Sequence, residues 1–243
     1  MPDRDIALGL LVPASNRVLE QDFAHWLPAG WRLHVNRLDA PRQRPADMRE
    51  NLLALTSGVD QAARLLGLVE PDVVAFGCTS GSFLRGAAWD EATAAQIHAA
   101  TGNAAVVMTA PAVAQALRAL GARRIAAISP YPEAVNRLMR DYLAAQGFEL
   151  LELRAFDGWG GGGIHNITAA QIEALAAPAR HGAADALFAS CTNLRAGAMV
   201  ERLEEITGKP VVTSNQATFW ACARAAGMAQ DVSGLGRLGG TPA

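Results

Sequence analysis

The sequence predicts an α/β fold built as two pseudo-symmetric lobes, each a parallel sheet flanked by helices, with an active site between the lobes. Three observations predict it. Short continuous apolar runs alternate with longer amphipathic segments, the pattern of parallel strands covered on both faces. Glycines stand just past the last apolar turn of several helical segments, at Gly102, Gly121, Gly147 and Gly208, where they stop a helix. The chain also repeats itself. VVAFGCTSGSFLRGA (73–87) matches ALFASCTNLRAGA (186–198), and TGNAAVVMTAPAVAQALRALG (101–121) matches TGKPVVTSNQATFWACARAAG (207–227).

The elements follow in order. The apolar run Ile6–Val12 is the first strand, closed by the turn Pro13-Ala14-Ser15-Asn16, and a helix is expected over 16–26. Strand Trp31–Arg37 precedes a helix over 46–68. Strand Asp72–Gly77 ends at Cys78-Thr79, with a helix over 86–100. Strand Ala104–Met108 ends at Thr109 and feeds a helix over 111–120. Strand Arg124–Ser129 ends at Pro130-Tyr131, with a helix over 131–146. Strand Glu149–Ala155 leads through the loop GWGGGG (158–163) to a helix over 168–180. Strand Asp185–Ser190 ends at Cys191-Thr192, with a helix over 194–206. Strand Pro210–Thr213 ends at Ser214-Asn215, with a helix over 215–226. The tail DVSGLGRLGGTPA is glycine-rich and expected to be mobile at its end.

Eight such units also count out a closed barrel. The internal repeat favours two lobes instead: residues 1–110 with 215–243 carrying Cys78, and residues 111–214 carrying Cys191. Ligands bind beyond the carboxyl ends of strands in open α/β sheets, and the polar residues collect at those ends.

Composition bounds the function. With 51% hydrophobic and 18% charged residues among 243, the chain can bury a substantial core. A net charge of −2 forces no basic face, which argues against nucleic acid or an anionic membrane as the main partner. The N-terminal apolar run lacks a basic flank and is short for a signal peptide. No apolar stretch is long enough to span a bilayer, so the expected location is cytoplasmic. The three cysteines, Cys78, Cys191 and Cys222, form no C-x-x-C, and the five histidines have no metal-ligand spacing. No metal, pyridoxal phosphate or nucleotide cofactor is expected. GWGGGG lacks the Lys-Ser/Thr of a phosphate-binding loop and reads as a lid, with Trp159 as its cover.

Cys78 and Cys191 are the candidate catalytic residues. Each is followed by Thr and a further polar residue, a poor continuation for an apolar core, and each holds the same place in a repeated unit. A helix starting directly after a cysteine favours the thiolate. Two facing thiols can move a proton from one face of a carbon to the other. Alternatively, one thiolate can add to an activated double bond, allow rotation and leave, while the second handles the proton. Both routes build negative charge on a neighbouring carboxylate, which fixed donors must meet. Ser15, Asn16, Thr79, Ser80, Tyr131, Thr192 and Asn193 are the candidate donors at the strand ends, and Asn166 follows the glycine-rich loop. Cys222, mid-helix among apolar neighbours, reads as structural.

The pair GCTS (77–80) and SCTN (190–193), each followed by Thr-Gly and a Val-Val strand (TGNAAVV and TGKPVV), resembles the Asp/Glu racemase superfamily over nearly the whole chain. CTSGSFLRGAAWDEA (78–92), LRALGARRIAAISPY (117–131) and EAVNRL (133–138) resemble the arylmalonate decarboxylases. LVPASNRVLEQDF (11–23), with two cysteines, resembles the maleate cis–trans isomerases. The isomerase resemblance implies Asn16 on a substrate carboxylate and Cys78 as nucleophile. It implies Tyr131 and Asn166 on carboxylate oxygens and Cys191 as proton donor and acceptor. The decarboxylase resemblance implies Thr79, Ser80 and Tyr131 as the carboxylate cradle and Cys191 as proton donor, with glycine in place of Cys78. The second thiol favours two-sided chemistry, so the expectation is a cofactor-independent isomerase of a small carboxylate or dicarboxylate. Amino-acid or aryl-acid racemisation, arylmalonate-type decarboxylation and non-catalytic carboxylate binding are the alternatives. The resemblance also implies a homo-oligomer.

Overall fold

The structure is a computed structural model in which residues 5–39, 50, 58–156, 163–228 and 232–241 are described. It contains β1 (Ile6–Pro13), α1 (Leu19–Trp26), β2 (Trp31–Leu38), α2 (Val59–Gly67), β3 (Val73–Phe76), α3 (Thr79–Arg85), α4 (Ala87–Ala100) and β4 (Ala105–Met108). There follow α5 (Thr109–Ala119), β5 (Arg124–Ser129), α6 (Glu133–Ala145), β6 (Glu149–Ala155), α7 (Ala169–Ala176) and β7 (Ala186–Ala189). The chain closes with α8 (Val200–Thr207), β8 (Val211–Thr213), α9 (Ser214–Ala225) and α10 (Gly236–Gly239).

The strands form two four-stranded parallel sheets, ordered β2-β1-β3-β4 and β6-β5-β7-β8. The second order is the first with four added to each strand. The internal repeat is therefore a repeat of topology: β3 with Cys78 at its end corresponds to β7 with Cys191 at its end, and β4 corresponds to β8. All eight expected strands are present within a residue or two of their expected limits.

The central strands are short because both faces are covered. VVAF of β3 and ALFA of β7 are buried at every position. The helix α9 packs over the first sheet, with Phe219 edge-on to Phe23 at 5.3 Å and beside Trp26 and Trp31. Phe23 and Phe219 are fully buried, each worth roughly 2–3 kcal/mol of transfer free energy. Gly77 sets how close α1 comes to the end of β3. A Cβ there would stand 2.2 Å from Leu19 Cδ2, so a larger residue would push α1 away from the strand end that carries Cys78.

Helix limits depart from expectation where local chemistry outweighs periodicity. A separate helix, α3, occupies 79–85, because its first five residues, TSGSF, are all buried and show no amphipathic period. Helix α1 begins at Leu19 and not at 16, because the Asn16 side chain forms a turn ahead of it. The 168–180 helix ends at Ala176 and tightens into a 3₁₀ turn at Pro178. No helix starts at 194; turns and a 3₁₀ segment fill the way to Val200. Of the helix expected over 46–68, Val59–Gly67 is present with Gly58 and Leu68 as its caps, and residues 46–49 and 51–57 lie outside the described residues. The glycine-rich tail is anchored: Leu235 and Leu238 are buried, and Gln216 Nε2 donates to the Leu235 carbonyl at 2.6 Å. Among the described residues no helix is long and apolar enough to cross a membrane. No group of three or more His, Cys, Asp or Glu among them could hold a metal ion.

Candidate active site

Cys78 sits in extended backbone directly before α3. The Gly77 N–H bonds to the Leu11 carbonyl at 2.8 Å, so the polypeptide leaves the sheet at a fixed place. The thiol is buried, and its sulfur meets the backbone N–H groups of Gly81 and Ser80 and, at 3.9 Å, the Ser80 hydroxyl. Burial pushes the thiol pKa up and these donors pull it down, with burial the larger effect.

Cys191 does not match the expectation of a helix starting behind it. Its φ is +105°, a left-handed backbone that favours glycine, and the chain after it makes turns. The N–H groups of Asn193 and Leu194 still curl back towards its sulfur, but they belong to a turn and not to a helix N-terminus. Burial pushes its pKa up to about 11, against hydrogen bonds from Asn193, Tyr131 and Leu194. The expectation of lowered thiol pKa values therefore does not hold. Desolvation outweighs the dipoles at both cysteines.

Tyr131 brings the two sulfurs into one locality. Its hydroxyl bonds the Cys191 thiol, and Ser190 Oγ donates to it at 3.5 Å. Charge on Cys191 or Cys78 raises the Tyr131 pKa, which burial already places well above the usual phenol value. Charge on Cys78 likewise raises that of Cys191. The Tyr131 loop is rigidly held. Asn136 accepts from Ser129 Oγ at 2.5 Å and donates to the Tyr131 carbonyl at 2.9 Å, while Phe83 stands edge-on to the ring.

The remaining predicted residues stitch the two repeats together. Thr79 Oγ1 donates to Ser214 Oγ at 2.9 Å, and the same oxygen accepts the Cys191 backbone N–H at 3.0 Å. Asn16 Nδ2 donates to Thr192 Oγ1 at 3.0 Å, and Thr192 Oγ1 donates to the Gly77 carbonyl at 3.2 Å. Asn16 Oδ1 accepts the Val18 and Leu19 N–H groups, which leaves one Nδ2 hydrogen uncommitted in these bonds. Asn193 Oδ1 accepts the Arg17 N–H at 2.9 Å. Ser15 is exposed, as is Asn166 on the 3₁₀ turn Ile164–Asn166. Both line an outer cleft of ≈ 1180 Å³ that Asn16 also borders. Residues 158–162, and with them the expected lid residue Trp159, lie outside the described residues. Cys222 is fully buried, as a structural residue would be.

Sequence reasoning placed Ser214 at a strand end but left it out of the site. Its repeat partner Thr109 carried the signal: each opens the helix after the fourth strand of its sheet. It also missed Asp90, which accepts from Ser82 Oγ at 2.6 Å and Tyr142 Oη at 3.3 Å behind α3. Asp22, which accepts from Asn215 Nδ2 at 2.6 Å, was missed as well. Burial pushes both carboxyls up to about 6. Chemically, the site offers two thiols and a phenol for proton transfer, one thiol as a nucleophile, and neutral donors around them.

Comparison with known proteins adds to this geometry. The arylmalonate decarboxylase family model matches residues 46–239. Maleate isomerase of Pseudomonas putida is 27% identical over 239 residues, 95% of this chain and 96% of that protein. Arylmalonate decarboxylase of Bordetella bronchiseptica is 33% identical over 188 residues, 76% of this chain and 78% of that one. Among solved structures, Nocardia farcinica maleate cis–trans isomerase bound to TRIS superposes with a TM-score of 0.86 at 25% identity, covering 96% and 97% of the two chains.

Proposed function

The chain belongs to the arylmalonate decarboxylase family, and from that premise we propose that it is a cofactor-independent isomerase of a small dicarboxylate, converting a maleate-like cis double bond to trans. The observation that carries the reading is two thiols in one locality: Tyr131 hydrogen-bonds Cys191, and Cys78 lies near enough to act electrostatically on both. A decarboxylase that protonates one face needs a single acid, whereas addition and elimination across a double bond need a nucleophile and a separate proton carrier.

The steps balance. The Cys78 thiolate forms a bond to one vinylic carbon as Cys191 gives its proton to the other. This yields a thioether on Cys78, a C–C single bond and a Cys191 thiolate. Rotation about the single bond brings the carboxylates trans. Cys191 then removes the proton, the C–S bond breaks, and the Cys78 thiolate returns. The developing charge beside the reacting carbon falls to the Tyr131 hydroxyl, the Thr79 and Ser80 amides and Asn16. The raised Cys191 pKa suits this cycle, because that thiol must keep its proton until it passes to carbon, whereas the buried Cys78 thiol must first release its proton to solvent before it adds.

The test is proton NMR of maleate with the purified protein, reading fumarate. A second reading, decarboxylation of a disubstituted malonate, is favoured by the family match and by the 33% identical relative. Carbon dioxide release from an arylmalonate, with no fumarate from maleate, would establish it instead. Racemisation is separated from both by exchange of an α-proton in deuterium oxide.

A further inference from the structure

The outer cleft bordered by Asn16 is strongly cationic, although the chain as a whole carries a net charge of −2. Among the described residues Arg17, Arg37, Arg195 and His165 line it, against one acid, Glu20. Arg37 is committed: its Nη2 pairs with Glu20 at 2.6 Å, and its Nη1 donates to the Ala14 and Asn16 carbonyls. It braces the loop that presents Asn16. Among the described residues, Arg17 and Arg195 have no carboxylate within ion-pair distance. Arg17 Nη1 lies 3.4 Å from His165 Nε2, and the Arg17 backbone N–H is held by Asn193. Arg195 feels the field of Asp22, but that carboxylate is buried on the inner face of α1 and bonded by Asn215. Two guanidinium groups, one from each lobe, thus face one cleft whose wall includes the Asn16 amide next to Thr192 and Cys191.

We propose that this cleft is an anion-collecting antechamber, in which Arg17 and Arg195 gather dianionic carboxylates in front of Asn16. The inference rests on the reading of the Cys78–Cys191 locality as the reaction site, and it names the charge class that the site selects. Two cations lining one cleft suit a ligand with two carboxylates better than one with a single charge or none. The field of a cleft raises the local concentration of such ions, and its reach is about 8 Å at physiological salt. The guanidinium groups sit ahead of the thiols, so they act on capture and leave the bond-making steps to the groups around Tyr131.

The experiment compares two alkylating probes on the full chain and on the double variant Arg17→Gln/Arg195→Gln. Iodoacetate is anionic and iodoacetamide is neutral, and mass spectrometry reads the modification rate at Cys78 and Cys191. The expected result is a fall in the iodoacetate-to-iodoacetamide rate ratio of about tenfold in the variant at low salt. Added salt should lower the ratio in the parent and leave it flat in the variant. An equal, salt-independent ratio in both proteins overturns the proposal. A second measurement covers thiols that are slow to react: calorimetric titration of maleate into a Cys78→Ser/Cys191→Ser background with and without the two glutamines. Weaker, salt-insensitive binding in the glutamine variant supports the antechamber, and unchanged affinity overturns it. Failure of the isomerase reading is distinguishable. A protein that makes no fumarate yet keeps the salt-dependent preference for iodoacetate loses that reading and keeps the antechamber.

Discussion

Thr79 Oγ1 and Ser214 Oγ lie 2.9 Å apart, although 135 residues separate them in the chain. The bond joins the residue after Cys78 to the residue that opens α9, and Ser214 also takes the Cys191 N–H. One hydroxyl therefore sets the spacing between the two cysteine turns.

Replacing Ser214 by Ala removes that shared acceptor. The Cys191 N–H loses its partner, at a cost of about 1–3 kcal/mol, and the sulfurs lose their fixed separation. Chemical denaturation should show the destabilisation. A fall in kcat should accompany it in the isomerisation assay, and a Thr replacement should restore part of both. Full activity in the Ala variant would deny Ser214 a positioning role.

Cys191 holds a backbone conformation that glycine adopts without strain, at φ +105°. Cys191→Gly should therefore be more stable than Cys191→Ala by about 1 kcal/mol, although both lose activity. Thermal unfolding of the pair checks this. Equal stabilities would mean that the backbone relaxes when the thiol is gone.

Tyr131→Phe keeps the ring packed against Phe83 and removes only the hydroxyl. The Tyr131 hydrogen bond lowers the Cys191 pKa, so its loss should raise that pKa above about 11. Alkylation of Cys191 across an alkaline pH series should shift upward, and kcat should fall on the order of 10²-fold. A pKa that fell, or stayed where it was, would contradict the bond.

Burial pushes the Asp22 and Asp90 carboxyls up to about 6 in the fold, from 3.8. The unfolded chain releases these protons near pH 4, while the folded chain keeps them to about pH 6. Their stabilising contribution is complete below pH 4 and is lost as the pH rises through 6, by up to about 3 kcal/mol for each group. Unfolding free energies measured from pH 4 to 7 should show a smaller decline for Asp90→Asn than for the parent. Parallel curves would place Asp90 at an ordinary pKa.

The fold was legible because the buried strands advertise themselves. VVAF and ALFA are unbroken apolar runs, and the repeat containing them is the repeat of sheet order. The strand ends and the internal repeat together made Cys78, Cys191 and Tyr131 candidates for one site. What stayed hidden depends on tertiary structure. The left-handed turn at Cys191 has no signature in a cysteine. The burial of all of TSGSF leaves no helical period to read. Arg195 lines the cleft because the two repeats meet there, which no local motif shows. The raised thiol pKa values come from desolvation, which no local motif encodes.

The central claim is that Cys78 makes a bond to carbon while Cys191 manages the proton. Intact-protein and peptide mass spectrometry of the Cys191→Ser variant after incubation with maleate tests it most directly. The account predicts a mass increase equal to one maleic acid, located on Cys78, with no such adduct in Cys78→Ser and at least about 10³-fold slower fumarate formation in both variants. Undiminished fumarate formation by Cys78→Ser, with no adduct on Cys78 in any variant, would contradict it.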